Sequence, residues 1–407
     1  MKIQVPDILE QVVVLSRHGI RSPLPQTKAL LETITTHQWM PWQVKSGYLT
    51  QKGGLLEAYF GAYFRQWLDQ RQLITLGQAI SGQDVFVYSN SLQRTVATAQ
   101  YFSTGAFAGE DVTVKHRYPI ERMDPIFNPQ IRDSRQEILM QIQQDIASQA
   151  GISESIERLN DELHSAYQII EKILNYSASD YRQKHGYEQF IHIPTSLSVI
   201  SKEQPDIYGP INIATAVADA FILQYYEGVP ESQIAWGNIQ SQEEWKQLAD
   251  IKNRYMDILF QSPFTATHLA MPLMHAIDGL FNSGNVPSKF TFLVGHDSNI
   301  ASLLTALKFS SYQLPGQLES TPIGGKVVLQ RWRDSKTQQV YFKAEYIYQT
   351  MQQIRQAEVL DLQNPPHSVN LLLSGVSESI PGFYHWQDFT HRLKQTLQPL
   401  DEKVAFA

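Results

Sequence analysis

Residues 12–23, VVVLSRHGIRSP, set an unbroken run of four apolar side chains one serine before Arg17 and His18, with Arg21 three residues on. Gln11 to Leu15 is predicted as a strand, because a short β-branched run bounded by Gly and Pro suits a strand buried on both faces. Cations at the end of such a strand are expensive to desolvate unless a partner meets them there. In open α/β sheets that place is where ligands bind, beyond the carboxyl ends of strands and beside helix N-termini. The cluster therefore reads as one edge of a binding site.

Outward from it the same order repeats. "DVFVYSN" (84–90) reads as a second strand and runs into "SLQRTVATAQYF" (91–102), a helix opened by a Ser or Asn cap. "KFTFLVGHDSNIASLLTAL" (289–307) repeats strand, turn and helix, and "GGKVVLQRW" (324–332) and "VYFKAEYIY" (340–348) read as later strands. In "LTQKGGLLEAYFGAYFRQWLDQ" (49–70), Leu55, Leu56, Tyr59, Tyr63, Phe64 and Trp67 recur at helical spacing, and the aromatic-rich stretch from Tyr59 to Trp67 is expected in the core. Strand–helix alternation implies an α/β sheet. From about 120 to 285 the pattern changes to helical segments such as "IERLNDELHSAYQIIEKILNY" (156–176), separated by Pro194, Pro205 and Pro210 and without a strand signal. The expected organisation is an α/β domain from 1–120 and 286–407, with a mainly α-helical domain, 121–285, inserted between.

Composition narrows the function. The 407 residues hold 33 Lys+Arg against 40 Asp+Glu, a formal charge of -7, with no basic stripe. A nucleic-acid or membrane-surface partner would call for one, so neither is expected. No apolar run approaches the ~18 residues that span a bilayer. The absence of cysteine removes disulfides, thiolate zinc sites and cysteine nucleophiles together. MKIQVPDILEQ at the start has no apolar h-region and does not read as a secretory signal. His268 and His275 share a helix without a third ligand at zinc-like spacing, and "KGG", "GQDVF" and "IGGK" lack the P-loop spacing, so neither metal nor cofactor is expected.

Three clusters follow strands: Arg17, His18 and Arg21 after the first, Arg94 after the second, and His296 with Asp297 after "FTFLV". Phosphoryl transfer needs this mixture. Arginine binds phosphate oxygens in a planar fork and keeps its charge. An imidazole can attack phosphorus and divide one hard hydrolysis into two easier steps, and an Asp beside the phosphate can protonate the leaving alkoxide. Neighbouring guanidinium groups should keep His18 neutral, while a bound phosphate and the arginines pull Asp297 in opposite directions. Taken singly, the arginines read as surface residues and His18 as a turn histidine. Asp297 or Ser298 could cap a helix beginning near Asn299, and Ser298 reads as the cap. Arg94 is different: a cation in the first turn of a helix opposes the macrodipole unless an anion binds there.

Together these residues resemble the histidine acid phosphatases, a branch of the histidine phosphatase superfamily. "RHGIRSP" is similar to their RHGxRxP motif and His296-Asp297 to their late HD pair. The likeness extends through "SNSLQRTVATAQ", "MDPIFNP", "DAFILQYYEG" and "TPIGGKVVLQRW", and is closest to the bacterial glucose-1-phosphatase and phytase group. The resemblance implies a phosphoglycerate-mutase-like α/β sheet domain with a large α-helical insertion. It implies His18 as nucleophile, Asp297 as proton donor, and Arg17, Arg21, Arg94 and His296 as the phosphate pocket. It also implies a substrate gate near Glu203 and Gln204, a periplasmic setting, and a small phosphomonoester as partner. Gly19 follows the phytase form of the motif, whereas Pro25 stands where phytases place a lysine that contacts inositol phosphates. Glucose 1-phosphate or another sugar phosphate is therefore expected ahead of phytate. A mutase-like phosphotransferase is opposed by Arg21, Pro23 and the late Asp297; an inactive phosphate-binding module would require neither His18 nor Asp297.

Overall fold

The computed structural model describes residues 5–151, 157–282, 288–398 and 406. In chain order the first elements are β1 (Ile8–Arg17), α1 (Pro25–Thr33), α2 (Gln51–Gln70), β2 (Val85–Ser89), α3 (Gln93–Phe107) and β3 (Val114–Lys115). Next come α4 (Gln136–Ala150), α5 (Glu157–Leu174), α6 (Asp180–His185), β4 (Ser196–Ser198), β5 (Asp206–Tyr208), α7 (Pro210–Glu227), α8 (Gln242–Phe260) and α9 (Pro263–Asn282). The last are β6 (Phe290–Gly295), α10 (Asp297–Ala306), β7 (Lys326–Arg333), β8 (Val340–Tyr348), α11 (Met351–Gln356), β9 (His367–Asn370), β10 (Tyr384–His385) and α12 (Trp386–Leu397).

The main sheet runs β10-β8-β7-β1-β6-β2-β3, with β9 beside β8. β1, β6, β2 and β3 are parallel neighbours, whereas β7 and the strands beyond it are antiparallel. Register brings the parallel carboxyl ends to one edge: Arg17 lies opposite Gly295, and Ser89 opposite Val294. Every expected strand is present, and β1 continues past Leu15 because Ser16 and Arg17 still pair with β6.

β1 is the central strand of this sheet and is covered on both sides. Val13 and Leu15, with Leu293 of β6, face α9 and α10 through Met274 and Ile300. Val12 and Val14 face α2 and α3 through Phe60, Phe64 and Phe102. All four are fully buried, each stabilising the fold by about 1.5–3 kcal/mol relative to exposure. α4, α5, α7, α8 and part of α9 enclose another apolar core, from Ile142 and Tyr167 to Phe221 and Phe260.

Details differ from the sequence reading. Leu55 lies on the outer face of α2 and is 42% exposed, because Leu56, Phe60 and Phe64 take the inward stripe. The 121–285 segment does contain strands: β4 and β5 pair antiparallel, too short for periodicity to reveal. The expected boundary at 285/286 lies outside the described residues. α3 is capped by Leu92, whose N–H is accepted by Thr95 Oγ1 at 3.3 Å, rather than by Ser or Asn.

Candidate active site

His18 follows the last residue of β1 and is held by its backbone on both sides. Its N–H donates to Gly295 O at 3.1 Å and its carbonyl accepts from Gly324 N–H at 3.1 Å. A carbonyl can only accept, so the 2.8 Å contact between His18 Nδ1 and Gly19 O places the ring proton on Nδ1. Nε2 is left with a free lone pair and no partner among the described residues. The start of α2 presses against this loop: a Cβ on Gly53 would lie 2.5 Å from Ile20 O.

Arg17, Arg21 and Arg94 surround this ring and differ in what holds them. Arg17 is 1% exposed, with Nη1 donating to Glu319 at 3.1 Å and Thr321 O at 2.6 Å, and Nη2 lying 3.0 Å from Asp297. Arg21 pairs with Asp219 on α7 at 3.0 Å. Arg94, at the second position of α3, makes no hydrogen bond or ion pair among the described residues. All three keep a buried Nε–H without an acceptor among those residues. Such donors call for a ligand or water.

His296 is the N-cap of α10, and its N–H donates to Asn299 Oδ1 at 2.9 Å. Ser298 therefore stands inside the helix instead of capping it. Asp297 is the first helical residue, its Oδ1 accepting from Ser298 N–H at 2.9 Å while Oδ2 faces Arg17. The two imidazole centroids lie 5.5 Å apart.

Electrostatics assign protonation states. Burial first, then Arg94, holds the His18 imidazole well below its ordinary value, and His296 is held down for the same reasons. Both are neutral at mildly acidic pH. Burial opposes ionisation of Asp297, yet Arg17 and then Lys252 outweigh it and keep the carboxyl below its ordinary value. Burial and then Arg21 press Arg94 down to about 9, which leaves it cationic wherever a phosphate would be bound.

The cleft encloses about 730 Å³. His18, Arg21, Arg94, His296 and Asp297 line its floor, and Arg17 lies just behind. Gln204 reaches the rim, whereas Glu203 is off the lining and uses its carbonyl to accept from Ile131 N–H. One wall is the face of α7 bearing Asn212, Thr215 and Asp219, spaced as successive turns of a helix. Asn212 and Asp219 are about 10 Å apart along the axis at ~1.5 Å per residue. Facing it, α8 contributes Lys252 and Tyr255.

Several of these residues were not singled out from sequence. Lys252 bridges Asp219 at 2.5 Å and Glu319 at 2.7 Å, so Arg17, Arg21, Lys252, Asp219, Glu319 and Asp297 form one buried network. A lone Asp in the apolar run "ATAVADAFIL" was a readable signal; Lys252 and Glu319 were not. At the outer end, Asp206 Oδ1 accepts from Tyr255 O–H at 2.7 Å and Ile207 N–H at 2.8 Å, and Glu121 also lines the cleft.

The profile described as "Histidine phosphatase superfamily (branch 2)" matches residues 8–347. A glucose-1-phosphatase of Providencia rettgeri is 40% identical over 401 residues, covering 97% of this chain and 93% of the relative. One from Salmonella typhimurium is 42% identical over 378 residues, 92% and 89% of the two chains. Among solved structures, the apo phytase of Hafnia alvei superposes with a TM-score of 0.88 at 30% identity, covering 97% of this chain and 99% of that one. A bare imidazole nitrogen among arginines, set by the strand ends of a mixed sheet, thus coincides with family likeness along nearly the whole chain, which belongs to branch 2 of the histidine phosphatase superfamily.

Proposed function

We propose that this phosphatase hydrolyses sugar monophosphates, glucose 1-phosphate first, through a phosphohistidine on His18. The observation that carries the reading is His18 Nε2, unprotonated and unpartnered on a floor lined by Arg21, Arg94 and His296, with Arg17 behind it. In the first step Nε2 bonds to phosphorus as the ester P–O bond breaks, and protonated Asp297 delivers its proton to the leaving alkoxide. In the second step water attacks phosphorus, Asp297 takes its proton, and the P–N bond breaks to release phosphate. Arg17, Arg21, Arg94 and His296 bind the three equatorial oxygens, where charge gathers in transit. Asp297 is ionised in the empty cleft; a bound phosphate anion supplies the opposing charge that reloads it with a proton.

The walls favour a sugar over a polyphosphate. Lys252, the cation on α8 that lines the cleft, is committed to Asp219 and Glu319. The outer end offers Glu121, Asp206, Asn212 and Tyr255, groups that suit hydroxyls, and its two carboxyl groups disfavour a second phosphate. Two named relatives are glucose-1-phosphatases, which agrees with this chemistry. We also propose the two-domain division at about 120 and 286, supported by the core that α4, α5, α7 and α8 share, with α9 serving both units because Met271, Met274 and Phe281 pack with the sheet, and a periplasmic setting, supported by the family. No helix among the described residues is long and apolar enough to cross a membrane.

Initial rates on glucose 1-phosphate, phytate and p-nitrophenyl phosphate, with a chelator present, test the proposal. Expected is the highest kcat/KM on glucose 1-phosphate with no loss in chelator. A clear preference for phytate, or activity restored only by a divalent ion, would overturn it.

A further inference from the structure

Asn90 follows β2 and is fully buried, and every polar atom of its side chain is committed. Its Oδ1 accepts from Ser91 N–H and from Asp124 N–H, both at 2.8 Å. Its Nδ2 faces His296 Nε2 at 2.7 Å and Met123 Sδ at 3.1 Å. The amide cannot be turned round, because its NH₂ would then confront two backbone N–H donors at hydrogen-bond distance. Nδ2 is therefore the donor, and His296 Nε2 must be the acceptor. In a neutral ring the proton then sits on Nδ1, which has no partner among the described residues in a side chain that lines the cleft.

We propose that Asn90 is a positioning residue that fixes His296 as its Nδ1–H tautomer, so that this ring presents the phosphoryl group with a hydrogen-bond donor and never with a lone pair. The inference rests on the reading above in one respect, that a phosphate occupies the floor of the cleft. It explains how two neighbouring histidines divide their work. Gly19 O takes the proton side of His18 and leaves a bare Nε2 to attack; Asn90 takes the bare side of His296 and leaves an N–H to bind. A second proton on His296 Nε2 would displace the Asn90 bond. Its surroundings resist that proton as well: burial, Arg94 from α3, Arg17 from β1 and Arg21 from the following loop, with Asp297 of α10 alone favouring it among the leading influences.

The test uses enzyme labelled with ¹⁵N-histidine, with the His296 signals assigned by their loss in His296→Gln. In the wild type Nδ1 should carry the proton and Nε2 should be bare from about pH 5 to about pH 8, the range in which an ordinary histidine would titrate. Asn90→Asp keeps an oxygen for Ser91 and Asp124, so a merely structural role survives the change. It replaces the donor to His296 by an acceptor, and His296 Nε2 should become protonated. Nδ1 then carries a proton only while the ring is an imidazolium. The variant-to-wild-type ratio of Ki for inorganic phosphate should consequently rise roughly tenfold between about pH 5 and about pH 8, the worth of one charge-assisted hydrogen bond. A protonated Nε2 in the wild type, a bare Nε2 in Asn90→Asp, or a flat ratio overturns the proposal. The tautomer signal does not depend on which ester is turned over, so a wrong substrate and a wrong tautomer are separate results.

Discussion

Replacing Asp297 by asparagine separates proton delivery from phosphate binding. The amide keeps an oxygen for Ser298 N–H, now 2.9 Å from Oδ1, so the start of α10 should survive. Arg17 loses one carboxylate at 3.0 Å but keeps Glu319 and Thr321 O, which limits the stability cost to about 1–3 kcal/mol. The catalytic cost depends on the leaving group. A sugar alkoxide needs the proton, so phosphorylation of His18 by glucose 1-phosphate should slow by roughly 10²- to 10⁴-fold, or about 2.7–5.4 kcal/mol at ~1.36 kcal/mol per decade. p-Nitrophenolate leaves without protonation, and its transfer step should change by less than about tenfold on the same reasoning. Rapid-mixing measurement of leaving-group release in a single turnover reads this step apart from dephosphorylation. Equal slowing of the two esters would refute the assignment and leave Asp297 as a residue that positions Arg17.

Arg94→Ala should depress both esters alike, by roughly 10²- to 10³-fold in kcat/KM, because the transferring phosphoryl group is common to them; a loss confined to one ester would argue against a phosphate contact. If His18 attacks as a neutral nucleophile with a depressed pKa, kcat/KM for p-nitrophenyl phosphate should hold as pH falls through about 6.5, where an ordinary histidine would become protonated. The same shift, shared by His296, makes the unfolded chain bind protons that the folded one refuses. Its stabilising contribution is complete above about pH 6.5 and is lost as pH falls below it, so Tm should drop on acidification, and less so in His296→Gln. Glu319→Gln leaves Arg17 and Lys252 short of a buried counter-charge and should lower unfolding free energy by about 3–5 kcal/mol in denaturant titration; a loss under ~1 kcal/mol, the scale of an exposed pair, would mean the network is not buried in solution.

The site was legible where function breaks a local rule. Arg17 and Arg21 after an apolar strand, Arg94 in a first helical turn and His296-Asp297 after "FTFLV" each violate burial or dipole expectations, and the structure brings Arg21, Arg94, His296 and Asp297 to one floor with Arg17 just behind it. Lys252, Glu319 and Asn90 break no rule in one dimension. Lys252 stands in the polar-rich segment "ADIKNRY", Glu319 in a loop and Asn90 in a serine-flanked turn that reads as a cap. The crossing of α7 and α8 over the strand ends gives Lys252 and Glu319 their partners, while Asn90 meets His296 after β6 and Met123 and Asp124 from the segment after β3; such distant contacts leave no periodic trace. The β4–β5 ribbon was hidden for a different reason: three residues per strand are too few to show alternation.

The backbone of His18 is anchored to β6 and to the loop before β7, while the residues facing the rest of a substrate stand on α7 and α8, whose apolar sides belong to another core. The proposed nucleophile and the wall proposed to select the substrate can therefore evolve at different rates. Substitutions at Asn212, Thr215 or Tyr255 would change the cleft wall without moving His18 Nε2. Asp219 and Lys252 mark where that freedom stops, because a change there reaches Arg21 and Arg17 through shared charge. A lineage built on this scaffold can explore new esters along two turns of helix while inheriting its chemistry intact.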